Sequence, residues 1–122
     1  MSSQEEQTNL VILAGRVATD PEVRIFDSGA RLLRLLVTVQ QKHPTRRVDV
    51  VPVTYWDPPD DLVDNPPGKG ETVRLTGALQ RRYWESPAGR RSRLELVAHQ
   101  ITVGRKRQLD EPERSIGPEL GL

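Results

Sequence analysis

The stretch "ETVRLTGALQRRYWESPAGRRSRLELVAHQITV", residues 71–103, decides what kind of chain this is. Its first half alternates with a period of two, so that Val73, Leu75 and Leu79 fall on one side of an extended strand and Thr72, Arg74, Thr76, Gln80, Arg82 and Trp84 on the other. Residues 86–89, "SPAG", supply a turn, and "RSRLELVAHQITV" returns as a second β-rich run. The pair predicts one long antiparallel hairpin with Ser86 to Gly89 at its tip. The hairpin carries adjacent aromatics, Tyr83 and Trp84, among Arg81, Arg82, Arg90, Arg91 and Arg93. An indole on the polar side of a strand serves no core, so its purpose lies outside the packing.

Working back toward the N-terminus, "VDVVPVTYW" at 48–56 places Val51, Val53 and Tyr55 on one face and Val50, Pro52, Thr54 and Trp56 on the other. Pro52 has no amide hydrogen for a ladder, so this strand lies at an edge or bulges there. "RLLRLLVTVQQ" at 31–41 fits a helical period through Leu32, Leu33, Leu35 and Leu36. The β-branched run Val37, Thr38 and Val39 decides for a strand with Leu33, Leu35, Val37 and Val39 on one face. "NLVILAGRV" at 9–17 reads as a strand, followed by the loop or hairpin punctuation of "ATDPEVR" and "FDSGAR". Prolines 58, 59, 66 and 67 restrict any helix in "DPPDDLVDNPPGKG" to a turn or two. About five strands with one brief helical or irregular insert between the third and fourth is what a small Greek-key barrel requires, an all-β fold.

At 122 residues the chain makes one domain, expected over 9–104 with flexible ends at 1–8 and 105–122. No apolar run approaches the roughly 20 residues of a membrane span, and "MSSQEEQT" lacks the basic start and apolar stretch of a secretion signal, so the expected location is cytoplasmic, on the nucleoid. The net charge of +1 conceals a separation of signs. Arg74 to Arg107 holds nine Lys/Arg and two acids, whereas Asp49 to Glu71 holds six acids and one lysine. Such asymmetry points to a polyanionic partner; solvated strands of a stable domain can produce the same pattern.

Catalytic readings are weak. The chain has no cysteine, and His43 and His99 are too far apart in sequence for a ligand spacing, so no cofactor and no zinc site is expected. "NPPGKGET" lacks the residue order of a phosphate loop. Asp57, Asp60, Asp61 and Asp64 could gather around a divalent cation for a nuclease, but their commoner role is to solvate a proline-rich loop and cap a short helix. The aromatic and basic elements remain. Unpaired bases offer flat faces for an aromatic ring while Arg and Lys follow the phosphates, and Trp56, Arg82 and Trp84 all fall on the polar faces of their strands. The pattern fits single-stranded nucleic acid, DNA or RNA, because stacking does not read the 2′-hydroxyl. The alternative is that Trp84 packs on a neighbouring subunit or covers the barrel's rim and the arginines are merely solvated.

The order of motifs, "NLVILAGRVATDPEVR", "SGARLLRLLVTV", "VPVTYW", "GKGETVRLTGALQRRYW" and "LELVAHQITV", resembles the bacterial single-stranded DNA-binding protein family over residues 9–103, including its Gly-x-x-x-x-Asp-Pro-Glu-x-Arg element at Gly15, Asp20, Pro21, Glu22 and Arg24. The resemblance implies a five-stranded OB-fold barrel, assembled as a homotetramer, that binds and protects single-stranded DNA without sequence preference in replication, repair or recombination and catalyses nothing. It implies stacking by Trp56 and Trp84 and backbone contacts from Lys69 and Arg82, with Arg34 replacing a polar residue on the binding face. The reading adds Arg74, Arg90, Arg91 and Arg93 as phosphate contacts. The chain departs from the family where one stacking position is Val50 and another falls near His43, a weaker stacking candidate. "ERSIGPELGL" also lacks the acidic tip ending in phenylalanine, so little or no recruitment through a tail is expected and the resemblance is to a short paralogue. An alternative role is an OB-fold interaction or regulatory module that mixes with a full-length relative.

Overall fold

The computed structural model describes residues 6–105. The elements are β1 (Val11–Val17), β2 (Glu22–Ile25), β3 (Arg31–Gln41), β4 (Arg47–Trp56), α1 (Asp60–Asp64), β5 (Thr72–Ser86) and β6 (Gly89–Gly104). Neighbours run β1-β5-β6-β4-β3-β2, and a β1–β3 pairing at Arg16/Thr38 and Val17/Val37 closes five of the strands into a barrel. The short β2 lies outside that ring: it pairs with β3 over Arg31–Arg34, the part of β3 that β1 does not reach. The all-β OB-type barrel expected from the sequence is the fold.

Alternation builds the core. Leu33, Leu35 and Val37 of β3, Val53 of β4, Val73 and Leu75 of β5, and Leu96, Ala98 and Ile101 of β6 pack together, with Val17 beside them. Val39 is partly buried against the same cluster, so β3 follows the strand period and not the helical one. Helix α1 is a little over one turn, as the prolines dictate, and its Leu62 enters the core. Pro52 pairs opposite Leu36 in a ladder unbroken from Leu32/Trp56 to Gln41/Arg47, and β6 reaches β4 only at Val53 and Thr54. The proline therefore sits on a free edge and not in a bulge, its missing donor facing no partner strand.

The hairpin deviates from a simple ladder. Thr76 pairs with Gln100 but Gly77 with Ala98, leaving His99 as an extra residue on β6. The bulge restores inward phase, so Leu96 and Ala98 before it and Ile101 after it all face the core. Tyr55 Oη closes over it, donating to the His99 carbonyl at 2.9 Å. Gly77 is required here: a Cβ would stand 2.2 Å from the Val97 carbonyl oxygen. One expectation is corrected just beyond this point. Leu79 keeps the inward phase of Val73 and Leu75 but is 42% exposed, while its ladder partner Leu96, which also pairs with Val53 of β4, is fully buried: in that row β6 and not β5 fills the core.

Candidate nucleic-acid interface

The outward faces of β3, β4, β5 and β6 form one surface. Cross-strand rows set its geometry: Arg24, Leu32 and Trp56 lie in one row across β2, β3 and β4, and Glu22, Arg34 and Thr54 in the next. On the hairpin, Arg82 faces Arg93 and Trp84 faces Arg91 across the ladder, and directly opposed residues share a side. Two depressions open on this surface. Arg34, Arg82, Trp84 and Arg93 line one; Arg24, Phe26, Leu32, Trp56, Gln80 and Glu95 are among those lining the other. Arg34 and Arg82 belong to both, so the two indoles stand along one continuous cleft with guanidinium groups between them. Trp56 is 50% exposed and Trp84 41%. Neither ring is spent on the core.

The cleft's electrostatics are mostly uncompensated. Among the described residues, Arg34, Arg82 and Arg91 have no carboxylate within ion-pairing distance, and Arg93 has one weak partner, Glu95 Oε1 at 4.0 Å. Glu95 is buried, yet its Oε1 has no hydrogen-bond partner among the described residues, and neither has the buried Nε of Arg34. At the other end of β4, Arg47 donates to both Asp49 oxygens at 3.0 and 2.7 Å. These hydrogen bonds and the arginine's charge hold the Asp49 carboxyl below its usual range, and raise the Arg47 guanidinium in turn.

Of the residues singled out in the sequence, Trp56, Trp84, Arg34, Arg82 and Arg93 are thus brought together, with Arg91 on the same side of the hairpin. Arg90 is not with them: it lies over the Tyr83 ring at 4.6 Å, on the opposite side. Lys69, Arg74 and His43 are exposed but line neither depression. Arg74 is paired between Ala14 and Thr102 on the barrel wall, and His43 sits in the β3–β4 loop. Sequence reasoning missed Phe26, whose ring stacks on Trp56 at 5.8 Å between centroids with planes 27° apart, and Arg24, whose guanidinium lies 5.7 Å over Phe26. The signal was an aromatic two residues after a strand arginine, hidden inside what reads as turn punctuation, "FDSGA". Among the described residues no cluster of His, Cys, Asp or Glu could hold a metal ion. Asp57 and Asp60 are instead engaged with Arg31. No helix among the described residues is long and apolar enough to cross a membrane.

Comparison with known proteins identifies the family and the fold. The chain is similar to single-stranded DNA-binding protein 1 of Nostoc sp., 28% identical over 120 residues covering 91% of this chain and 96% of the relative. It is similar to the single-stranded DNA-binding protein of Thermosynechococcus vestitus, 30% identical over 105 residues covering 84% and 88%. Its fold matches a solved Plasmodium falciparum SSB in complex with ssDNA, with a TM-score of 0.69, 19% identity, and coverage of 82% of this chain and 96% of that one. The profile of the Single-strand binding protein family matches residues 8–103, and the chain belongs to that family.

Proposed function

We infer that the protein binds single-stranded DNA without catalysing a reaction, laying unpaired bases against Trp56 and Trp84 while Arg34, Arg82, Arg91 and Arg93 contact the backbone. The observation that carries this reading is the shared cleft: two half-exposed indoles joined by arginines that line both of its ends. Stacking accepts every base, because every base has a π-face, so binding is insensitive to sequence; phosphate contacts add affinity that falls with salt. Lys69, Arg74, Arg90 and His43 serve at most a strand that wraps beyond the cleft. Protection of exposed strands during replication, repair or recombination follows from such binding.

The same reading includes self-association, four copies being the number the family resemblance favours. Leu10 and Ile12 near and on β1, and Leu79 and Leu94 on the hairpin, are 42–64% exposed. The Asn9 side chain donates to the Leu79 carbonyl and accepts from its amide, both at 2.8 Å, so this apolar surface is fixed and not fraying. Fluorescence anisotropy with labelled oligo-dT and with the same strand in a duplex, read beside solution mass, tests both parts. The reading expects binding of the single strand only, weakening as salt rises, by a particle several times the 13.8 kDa chain mass. Equal binding of duplex, or none of either, contradicts it.

A further inference from the structure

We propose that Phe26 is a base-stacking residue in its own right, forming with Trp56 a two-ring platform at the β2–β3 end of the cleft; this rests on the single-stranded DNA reading above. The mounting is rigid. The Phe26 amide donates to the Ala30 carbonyl at 2.9 Å and its carbonyl accepts from the Gly29 amide at 2.8 Å, a tight turn that needs Gly29 at φ +92. The row Arg24–Leu32–Trp56 fixes the direction: Phe26, two residues beyond Arg24, projects from the same face and overhangs the end of that row.

Trp56 stands directly opposite Leu32, which is 4% exposed, and Phe26 lines the same depression with both. Packing there does not consume the rings, since Phe26 remains 36% exposed and Trp56 50%. Elsewhere on the exposed face of β4, Val48 and Val50 offer aliphatic side chains and no π-face. Aromatic surface is therefore concentrated where β2, β3 and β4 end, and a strand passing from Trp84 across Arg34 and Arg82 meets two rings there in succession. The Arg24 guanidinium beside Phe26 supplies a cation for the phosphate of the nucleotide that stacks, and its other contact, Glu22 at 3.7 Å, is exposed and weak. The ligand is an unpaired base of any identity.

A double-mutant cycle separates a platform from a prop. Phe26→Leu keeps an apolar side chain but removes the π-face, and should weaken oligo-dT binding about fivefold or more, the lower range for one stacked base. A loss of more than about twofold should persist in a Trp56→Leu background, though its size can change because the two rings touch, and Phe26→Tyr should bind within about twofold of the parent. A loss under about twofold in Phe26→Leu, or a loss that vanishes once Trp56 is gone, overturns the proposal, the second outcome showing that Phe26 only orients Trp56. A measurement on the unmodified protein guards against a variant that fails to fold. Photocrosslinking to oligo-dT carrying 5-iodo-deoxyuridine should place adducts on Phe26 as well as the tryptophans; adducts on Trp56 and Trp84 alone overturn it. Failure of the unmodified protein to bind oligo-dT at all removes the DNA reading and this inference together, whereas normal binding with a silent Phe26 removes only the inference.

Discussion

Arg31 and Asp57 hold each other across the mouth of the β3–β4 pair: the Arg31 amide donates to Asp57 Oδ1 at 2.9 Å, and the Asp57 amide donates to the Arg31 carbonyl at 2.8 Å. The Arg31 guanidinium then reaches Asp60 Oδ1 at 2.8 Å and the Pro58 carbonyl at 2.7 Å. Asp57 follows Trp56 directly and adopts a left-handed φ of 48°, a conformation its hydrogen bond helps maintain. The acidic loop is thus a clasp that fixes the start of α1 and the seat of the Trp56 ring. Asp57→Ala removes the bond and keeps the strained backbone, and should lower stability by about 1–3 kcal/mol in a denaturant titration. Magnesium should leave the melting of the unmodified protein unchanged; a marked rise would restore the metal reading of this loop.

Trp84 projects from a hairpin that has already left the barrel, so its removal tests stacking with little cost to the core. Trp84→Ala should weaken oligo-dT binding by about 1–3 kcal/mol while the denaturation midpoint stays close to that of the parent. Unchanged affinity would remove the stacking role.

The two faces of the hairpin make opposite forecasts for neighbouring arginines. Arg91 shares the side of Trp84, whereas Arg90 is turned onto Tyr83. In a plot of log affinity against log salt, Arg82→Gln, Arg93→Gln or Arg91→Gln should each flatten the slope by about 0.7, the value of one phosphate contact with a single strand. Arg90→Gln should change it much less. Equal effects at 90 and 91 would mean that the strand wraps around the hairpin tip.

Glu95 places a buried carboxylate on the floor of a cationic cleft, 4.0 Å from Arg93. Its charge opposes phosphate and draws on Arg93. Glu95→Gln should therefore raise affinity for oligo-dT a few-fold at low salt, the gain fading as screening shortens the reach of the charge. A loss of affinity would show that Glu95 instead holds the arginines in place.

How much of this was legible in the sequence depended on where periodicity applied. The period-two runs placed Leu33, Leu35, Val37, Val53, Val73 and Leu75 inside and Trp56 and Trp84 outside, because within the barrel one face of each strand must be dry. Leu79 defeated the same rule: it keeps the inward phase yet is 42% exposed while Leu96 opposite it is buried, and alternation gives a phase but not which strand of a pair fills the core. The bulge at His99 left no mark a propensity could read; it follows from Gly77 pressed against the Val97 carbonyl, a contact between segments twenty residues apart. Phe26 was illegible for a related reason: a turn residue has no periodic face, and only the meeting of β2, β3 and β4 puts its ring on Trp56. Charge counts found the basic hairpin but did not separate Arg90 from Arg91, which differ only in the side of the ladder they occupy.

Whether one strand lies across both indoles is read from tryptophan fluorescence of the Trp56→Phe and Trp84→Phe variants, titrated with oligo-dT at low salt and then back-titrated with salt. The remaining indole should be quenched in each variant and recover as salt displaces the strand. An indole whose emission stays constant through saturation, in either variant, would contradict it.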